Sequence, residues 1–475
     1  SVVGRTFSAP ILPGVYPELG AFDAVKGHLE TLGAQDLLSI EQEGEQTYLF
    51  KHVVTQEVAY ESMPFAFRSM LHERVGGFIE LTEPDSIERN PALLAHHFWH
   101  SENLRKKREY LRRAGDAAQA AYANTAAIEY FERLAPLLDQ GERVVVQLKL
   151  GKVLELVGNW RRAEEVEGQA LALAESLGDV YWRAACQTAL AEVARKHGRF
   201  DEAFDLLDHA AKGFEALRDE GGVGKVLHLT GTVAAQRGDY PKALTSYEAS
   251  LAIRERLGDK ASMGSLLSNL GVIAEYQGDY DRSRAFHERA LALRTDIGDR
   301  WAIAVSMTNL GMIAVLQKRF DEARDWFERS MRLNREVGDT WMVAICHNNL
   351  GNATRGLGEY DEAREHYADS LRAYRDYDDR WAMAFLLEDI GVLAALSGDS
   401  ATAFELMGAA DALRDAIGTP RAPTLEQELQ SQIDAAATDL ADEECAALRA
   451  RGRSLDLATG VALALELCER PSSFE

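Results

Sequence analysis

The sequence predicts a mostly all-α fold, in which a long stack of helical hairpins follows a small unit that contains a β-hairpin. A turn residue recurs every 40 residues, an aromatic side chain follows it in most copies, and an aspartate recurs with the same period. The turn residues are Gly158, Gly198, Gly238, Gly278, Lys318, Gly358 and Gly398. The aspartates are Asp179, Asp219, Asp259, Asp299, Asp339 and Asp379. A fixed period of this length is typical of a solenoid, in which each unit covers the apolar face of its neighbour.

Each repeat is predicted to consist of two helices, which we name helix A and helix B. In one copy, residues 261–276 and residues 280–297 both carry apolar side chains at helical spacing. Gly278 separates the two stretches, because glycine readily adopts the left-handed backbone that ends a helix. Asp279 and Asp299 each precede a helix, where a carboxylate accepts hydrogen bonds from the free main-chain amides. The pattern therefore predicts a helical hairpin in every repeat.

Two positions of the hairpin are small in nearly every copy. On helix A they are Gly151, Ala191, Gly231, Gly271, Gly311, Gly351 and Gly391. On helix B they are Ala163, Ala203, Ala243, Ser283, Ala323, Ala363 and Ala403. A glycine inside a helix costs about 1 kcal/mol relative to alanine. Its recurrence at one position therefore predicts that the two helix backbones pack closely there.

The repeated residues resemble those of the tetratricopeptide repeat over about residues 144–417. In one copy the resemblance is carried by Leu270, Gly271, Gly278, Asp279, Tyr280, Ser283 and Ala290. It implies a right-handed superhelix of tetratricopeptide-like hairpins, with helix A lining the concave side. We interpret the tryptophans that recur at helix starts as packing groups between repeats; they are Trp301, Trp341 and Trp381.

A different pattern precedes the repeats. Two short extended runs within residues 37–50 are separated by Glu43 and Gly44, and helical patterns flank them, which is typical of a small winged-helix unit. The strings SVVGRTF, YLFKHVVTQEVAYESM, RSMLHERV and ALLAHHF resemble a region of bacterial signal transduction ATPases with numerous domains. That region joins the ATPase module to the repeats, in proteins that include fusions to nucleotide cyclases or DNA-binding regulators.

The same resemblance implies a nucleotide role for His52, in the segment FKHVVTQEVAY. In the wider family a histidine of this segment contacts the phosphate of bound ADP, so His52 is a candidate nucleotide sensor. ADP or ATP would then bind in a longer parent chain, and no cofactor is expected within these residues. The alternative is that His52 caps or packs against the following helix. Because the chain begins with Ser1 inside a segment that reads as folded, we expect it to be part of a longer protein.

Four segments are predicted along the chain. Residues 1–89 form a winged-helix-like connector, residues 90–143 an irregular helical hairpin, residues 144–419 seven repeats, and residues 420–475 a helical cap. The cap is expected because the last repeat of a solenoid needs a cover for its apolar face.

The composition argues against several classes of function. The chain has 52 Lys and Arg residues against 76 Asp and Glu residues, a formal charge of 52 minus 76, or -24, which repels nucleic acid and anionic lipid. The four cysteines form no CxxC pair, which favours a reducing, cytoplasmic location. No apolar run is long enough to cross a bilayer, so no membrane partner is expected. We also recognise no catalytic signature, and the string GGVGK at residues 221–225 lacks the strand and the residues of a phosphate-binding loop.

The histidines at positions 96, 97 and 100 are close in sequence. His96 and His100 are four residues apart and would share a helical face, as metal ligands do. No carboxylate or cysteine partner is placed beside them, so we predict no metal site and expect this pair to be buried and hydrogen-bonded in a connector helix.

The resemblance to peptide-binding repeats also identifies candidate ligand contacts on helix A. They are Arg195, Lys196, Lys225, His228, Gln236, Glu275, Tyr276, Asn348, Asn352 and Arg355. A more apolar lining is predicted towards the C-terminus, formed by Val305, Met312, Val315, Leu316, Phe385, Val392 and Leu396. Either an apolar partner docks on that lining, or the C-terminal helices fold back over it.

Two functions are compatible with these features. The first is a non-catalytic sensor arm, which binds a protein, a peptide or a small-molecule inducer and relays the event to an upstream ATPase module. The second is a stand-alone scaffold that joins partner proteins without any nucleotide linkage. An enzyme would require an active site that the sequence does not display.

Overall fold

The computed structural model describes residues 1–42, 46–419, 421, 423–436 and 440–470. Within them lie 25 α-helices and three β-strands, so the predicted mostly all-α fold is confirmed. The chain divides into two compact units, Ser1–Val233 and Ala234–Glu475. The boundaries predicted at residues 89, 143 and 419 lie inside these units and stay predictions. Among the described residues, no helix combines the length and the apolar character that a membrane crossing requires.

The first unit begins with a three-stranded antiparallel sheet. Its strands are β1 (Thr6–Ser8), β2 (Leu38–Gln42) and β3 (Thr47–Phe50), in the order β1-β3-β2. The pair β2 and β3 confirms the predicted hairpin, although the turn predicted at Glu43 and Gly44 lies outside the described residues. Strand β1 was not predicted, because three residues are too few to show an alternating pattern; it places Phe7 opposite Tyr48 of β3.

Helices make up the rest of the first unit. They are α1 (Ile11–Val15), α2 (Phe22–Ala34), α3 (Val53–Glu61), α4 (Phe65–Thr82), α5 (Pro84–Arg89), α6 (Pro91–Trp99), α7 (Leu104–Ala120), α8 (Asn124–Leu134), α9 (Gln140–Leu156), α10 (Trp160–Leu177), α11 (Val180–Lys196), α12 (Phe200–Ala216) and α13 (Glu220–Gln236). The pairs α9 and α10 and α11 and α12 are helical hairpins. The division between the units falls within α13. Residues 221–225 lie in the first turns of α13, so GGVGK belongs to a repeat helix and not to the link between two helices.

The second unit continues the hairpins. Its helices are α14 (Tyr240–Leu257), α15 (Lys260–Tyr276), α16 (Tyr280–Ile297), α17 (Arg300–Leu316), α18 (Phe320–Val337), α19 (Thr340–Leu357), α20 (Tyr360–Asp376), α21 (Arg380–Leu396), α22 (Ser400–Ile417), α23 (Pro423–Ala436), α24 (Asp442–Arg453) and α25 (Leu457–Glu469). Helices α15 and α16 agree with the predicted stretches 261–276 and 280–297 to within one residue. The 40-residue pattern therefore identifies the helix ends as well as the helices.

The repeated aspartates act at two contacts. Oδ1 of Asp339 accepts a hydrogen bond from the main-chain amide of Met342 at 2.9 Å, which caps helix α19. Oδ2 of the same carboxylate accepts a hydrogen bond from the indole Nε1 of Trp301, one repeat earlier, at 3.0 Å. Trp341 and Asp379 repeat that contact at 3.0 Å. These bonds confirm that Trp301 and Trp341 join successive repeats.

The helix A glycines were predicted to let the two helix backbones approach closely, but at Gly271 and Gly311 they make room for a helix B side chain instead. At Gly311, an added Cβ would lie 2.7 and 2.8 Å from the Cδ1 and Cζ atoms of Phe327 on helix B. At Gly271 it would lie 2.6 Å from the Nε2 atom of His287. A large helix B side chain, and not the opposite backbone, therefore fills the space at these glycines. Gly391 follows the original prediction, since its nearest contact is the main-chain oxygen of Ala403 at 3.4 Å.

The last three helices pack on the end of the repeats in the second unit. Val392 of α21 is buried in one cluster with Leu429 and Ile433 of α23, so part of the predicted apolar lining is covered by the chain itself. Met312 and Leu316 keep 43 % and 42 % of their surface exposed. A buried ionic network stabilises this contact. The Glu388 carboxylate accepts hydrogen bonds from Nη2 of Arg414 at 2.9 Å and from Nε of Arg421 at 2.7 Å.

Candidate functional site

The predicted ligand contacts fall in two groups, one in each unit. Arg195, Lys196, Lys225 and His228 belong to the first unit, on α11 and α13. The second unit holds the rest, which are Gln236, Glu275, Tyr276, Asn348, Asn352 and Arg355.

In the first unit, a cluster of opposite charges is formed by residues of α9 and α11. Glu155 is buried and lies 3.5 Å from the Nζ atom of Lys152 and 3.8 Å from that of Lys196. Glu192 accepts a hydrogen bond from the Nε atom of Arg195 at 2.8 Å. We name these five residues the A-face cluster. The sequence pattern identified two of its cations but neither carboxylate.

Ionisation within the A-face cluster is uneven. Burial raises the pKa of Glu155 above its ordinary value, despite the attraction of the two nearby lysines. Burial acts in the same direction on Glu192, but the hydrogen bond and the charge of Arg195 outweigh it and lower the pKa of that carboxyl. The cluster therefore presents Glu192 as a firmly ionised group and Glu155 as a weaker acid.

Beneath the cluster lies Glu167 of α10, which is fully buried. Neither of its carboxylate oxygens has a hydrogen-bond partner among the described residues. Burial, followed by the charge of Glu155, raises its pKa to about 8. A Cβ at Gly151 would lie 2.6 Å from its Cγ atom, so the glycine leaves room for this side chain.

Glu167 interacts electrostatically with residues of three successive A helices, namely Lys152 and Glu155 of α9, Glu192 of α11 and Lys225 of α13. Sequence reasoning missed it, although a signal was present. The corresponding helix B position in other repeats holds Leu207, Tyr247, His287, Phe327, Tyr367 and Met407. The other members of that series are aliphatic, aromatic or imidazole side chains, so a carboxylate departs from the pattern, and such a departure is typical of a functional position.

In the second unit, three predicted residues of α19 converge on Asp389 of α21. Oδ2 of Asp389 accepts hydrogen bonds from the Nδ2 atoms of Asn348 and Asn352, each at 3.1 Å. The Nη1 atom of Arg355 donates to the main-chain oxygen of Asp389 at 3.3 Å, and its Nη2 atom lies 3.4 Å from Oδ1. Tyr367 donates to Oδ1 of Asn352 at 2.7 Å. Sequence reasoning missed Asp389, and a ligand here would compete with this network.

The predicted residues Gln236, Glu275, Tyr276 and His52 have different surroundings. Tyr276 is 66 % exposed and its ring stacks on Tyr240 at 5.5 Å between centroids. Burial raises the pKa of Glu275. Gln236 is exposed. His52 lies at the N-cap position of α3, but its side chain is exposed and makes no capping hydrogen bond.

One group of described residues has the proximity of metal ligands. His72 of α4, His96 of α6 and His100 each offer a ring nitrogen within 4.8 Å of the others. Burial, and then the neighbouring histidines, lower the pKa of His72 to about 3 and that of His97 to about 4. The predicted pair, His96 and His100, is hydrogen-bonded, since Nδ1 of His100 lies 2.9 Å from the main-chain oxygen of His96. It is not buried, because His96 is exposed and His100 is half-buried, and the buried imidazole is His97, which contacts His72.

Comparison with known proteins gives a match to one sequence family. The sequence model described as tetratricopeptide repeat matches residues 142–216, 182–256, 222–296, 262–336, 302–376 and 340–410. No curated protein sequence is significantly similar to the chain.

Several solved structures are similar in fold. One is a signal transduction ATPase with numerous domains from Pyrococcus horikoshii, which has a tetratricopeptide repeat sensor. It is 14 % identical to this chain, and the TM-score is 0.55 over 86 % of this chain and 60 % of that protein. The chain thus spans about three fifths of that relative. BtubC from P. vanneervenii is 24 % identical, with a TM-score of 0.38 over 50 % of this chain and 93 % of that one. The quorum sensor NprR from B. thuringiensis is 13 % identical, with a TM-score of 0.48 over 74 % of this chain and 98 % of that one.

Proposed function

Because this chain belongs to the tetratricopeptide repeat family, we propose that it is the non-catalytic sensor arm of a signal transduction ATPase. Repeats of this family form scaffolds for interaction with proteins or peptides, and the fold is typically non-catalytic. The arm binds a protein, a peptide or a small ligand on helix A and relays the event to an upstream nucleotide-binding module. The similarity in fold to the Pyrococcus horikoshii ATPase supports the proposal.

The observation that carries ligand binding is the buried Glu167 carboxyl without a partner among the described residues. A buried polar group that lacks a hydrogen bond costs about 1–3 kcal/mol. Because Glu167 is fully buried, a ligand must displace side chains of the A-face cluster to supply the missing bond. It would then recover part of that free energy and meet the charges of Lys152, Glu192 and Arg195. Of the ligand classes above, a peptide fits best, because its backbone carries both donors and acceptors at short intervals.

Peptide binding is tested with the full chain on an array of overlapping 15-residue peptides, followed by fluorescence titration of those captured. Glu167→Leu is the informative variant, because Leu207 holds the same position in the next hairpin and is buried there. The variant should keep its fold and bind the captured peptides about tenfold more weakly at neutral pH, the loss of one hydrogen bond to a buried group. Arg161→Ala, at an exposed position of α10, is the control. Equal affinity of the Glu167→Leu protein and the control would refute the role of this carboxyl.

The nucleotide linkage rests on His52 and the segment around it. The three-stranded sheet leads from β3 directly to His52, whose exposed side chain is available to a phosphate of ADP in a longer parent chain. Residues 1–89 would act as the connector. In the longer protein, His52→Ala should weaken ADP binding, whereas His28→Ala, at an exposed position of α2, should not. Unchanged ADP affinity in the His52→Ala protein would exclude the sensor role.

The second candidate function is a stand-alone scaffold without a nucleotide linkage. It is favoured by the exposed apolar side chains Met312, Leu316 and Leu396, which offer a docking surface for a partner protein in the second unit. A parent chain that lacks an upstream phosphate-binding loop in the same reading frame would favour this function over the first.

A further inference from the structure

Four histidines converge in the first unit, on two helices that are separated in sequence. His72 comes from α4, His96 and His97 come from α6, and His100 follows the end of α6. The ring centroids of His72 and His100 are 4.9 Å apart, and those of His96 and His100 are 4.7 Å apart. Imidazole rings seldom gather in this way by chance, because each carries polar nitrogens that need partners when they are buried.

We propose that His72, His96 and His100 form a binding site for a divalent transition-metal ion of the Zn²⁺ class. Imidazole nitrogen is a preferred ligand of Zn²⁺, Cu²⁺ and Ni²⁺, whereas Mg²⁺ and Ca²⁺ prefer oxygen. Among the described residues the group consists of histidines alone, so the hard cations are disfavoured. Three histidines leave a fourth position for water, as in open zinc sites.

The hydrogen bonds of His100 leave one of its nitrogens ready for a metal. Its Nδ1 atom lies 2.9 Å from the main-chain oxygen of His96. A carbonyl oxygen only accepts hydrogen bonds, so Nδ1 must carry the proton. Nε2 of the neutral ring then holds a free lone pair, which is the form that binds a metal ion.

His72 is held in place from both sides. Its Nε2 atom lies 2.9 Å from the Tyr60 hydroxyl, and its Nδ1 atom lies 3.0 Å from Nδ1 of His97. In metal sites the second ring nitrogen of a ligating histidine is usually hydrogen-bonded, which fixes the orientation of the ring. Whichever nitrogen of His72 takes the ion, Tyr60 or His97 would remain bonded to the other.

The geometry requires only a modest closure. For three atoms within 4.8 Å of one another, some point lies within about 2.8 Å of all of them. The Zn–N distance is about 2.0–2.1 Å, so each ligand nitrogen must move inward by up to about 0.8 Å. His96 is exposed and His100 is half-buried, so both rings have room to move and solvent reaches the site.

Among the described residues, two arginines act on the histidines of the site. Arg68, beside His72, is paired with Glu61 at 2.8 Å, which offsets its repulsion of a cation. Arg133 acts on His96 from α8 and pairs with Glu129. A bound ion would join α4 to the end of α6 and stabilise the first unit.

The test uses the full chain without an affinity tag, stripped with EDTA and titrated with Zn²⁺ by isothermal calorimetry. The wild type should bind one equivalent more than the double variant His96→Gln/His100→Gln, or bind at least about tenfold more tightly. His209→Gln, which removes an exposed histidine of α12, should behave as the wild type. Zn²⁺ should also raise the melting temperature of the wild type more than that of the double variant.

A second variant removes the buried ligand. His72→Phe should abolish the visible absorption of Co²⁺ bound at this site while circular dichroism reports an intact helical fold. Because His96 and His100 are at the surface, the double variant tests the site even where His72→Phe does not fold. Identical stoichiometry and affinity for Zn²⁺ in the wild type and the double variant would overturn the proposal.

Discussion

Replacement of Gly311 by alanine should destabilise the second unit, although alanine is the better helix former. The substitution alone favours the helix by about 1 kcal/mol. The new methyl group, however, would lie 2.7 Å from Cδ1 of Phe327, and ordinary contact begins near 3.4 Å. The ring must therefore withdraw by at least 3.4 minus 2.7, or 0.7 Å. It is fully buried and packs with Ala314, Leu350 and Ala353, so it has no space to enter.

Overpacking of this kind costs about 1–3 kcal/mol. When the gain of about 1 kcal/mol from the better helix former is subtracted, the net destabilisation of the Gly311→Ala protein should be about 0–2 kcal/mol. Gly311→Leu places three further carbons in the same space and should disrupt the hairpin. Gly168→Ala is the matched control: Gly168 lies inside α10 with no atom within 4 Å of an added Cβ, so the change should stabilise by about 0.5–1 kcal/mol.

The assay is urea unfolding followed by circular dichroism. The double variant Gly311→Ala/Phe327→Leu supplies a coupling energy, which should be about 0.5–3 kcal/mol in the favourable direction if the ring is the obstacle. The reasoning is refuted if Gly311→Ala stabilises the protein as much as Gly168→Ala does, or if the two substitutions are additive.

Three further predictions concern buried ionisable side chains. The pKa of Glu167 in the folded chain, about 8, exceeds its ordinary value of 4.5, so the stability of the fold should decrease as the pH rises from about 4.5 to 8. Glu167→Leu should flatten that part of a plot of melting temperature against pH. An unchanged slope would contradict the assignment. Burial holds the pKa of His287 at about 4, below its ordinary 6.5, so stability should fall as pH drops from 6.5 to 4; His287→Phe should remove this loss in acid unfolding. Glu388→Leu leaves Arg414 and Arg421 buried without their shared carboxylate. It should lower the free energy of unfolding in urea by about 3–5 kcal/mol. A change within about 0.5 kcal/mol would show that the network contributes little to stability.

Much of the fold was predictable because its determinants are local and repeated. Gly278 and Asp279 act within one helix end, through a left-handed backbone and a capping bond, and these depend on a few adjacent residues. The small helix A position was also predictable, but not the reason for it. Phe327 lies 16 residues after Gly311, and only the packed hairpin places the ring against the glycine.

The candidate sites were less predictable, because each depends on residues from different repeats or helices. Asn348, Asn352 and Arg355 were identified from their positions on helix A, but their common partner Asp389 belongs to the next repeat. In the histidine cluster, His96 and His100 are neighbours along the chain. The third imidazole, His72, lies 24 residues before His96 and is brought near only by the packing of α4 on α6.

The sequence by itself determined the period, the helix ends and the hairpin, since each follows from helical periodicity and from backbone preferences that act over a few residues. The tertiary structure alone decided which side chains meet. It placed the Glu167 carboxyl beneath the A-face cluster without a partner among the described residues, and it gathered His72 with His96 and His100. Hydrogen bonding and ligand geometry depend on distances of a few ångströms between residues far apart in the chain, and a one-dimensional pattern does not contain those distances.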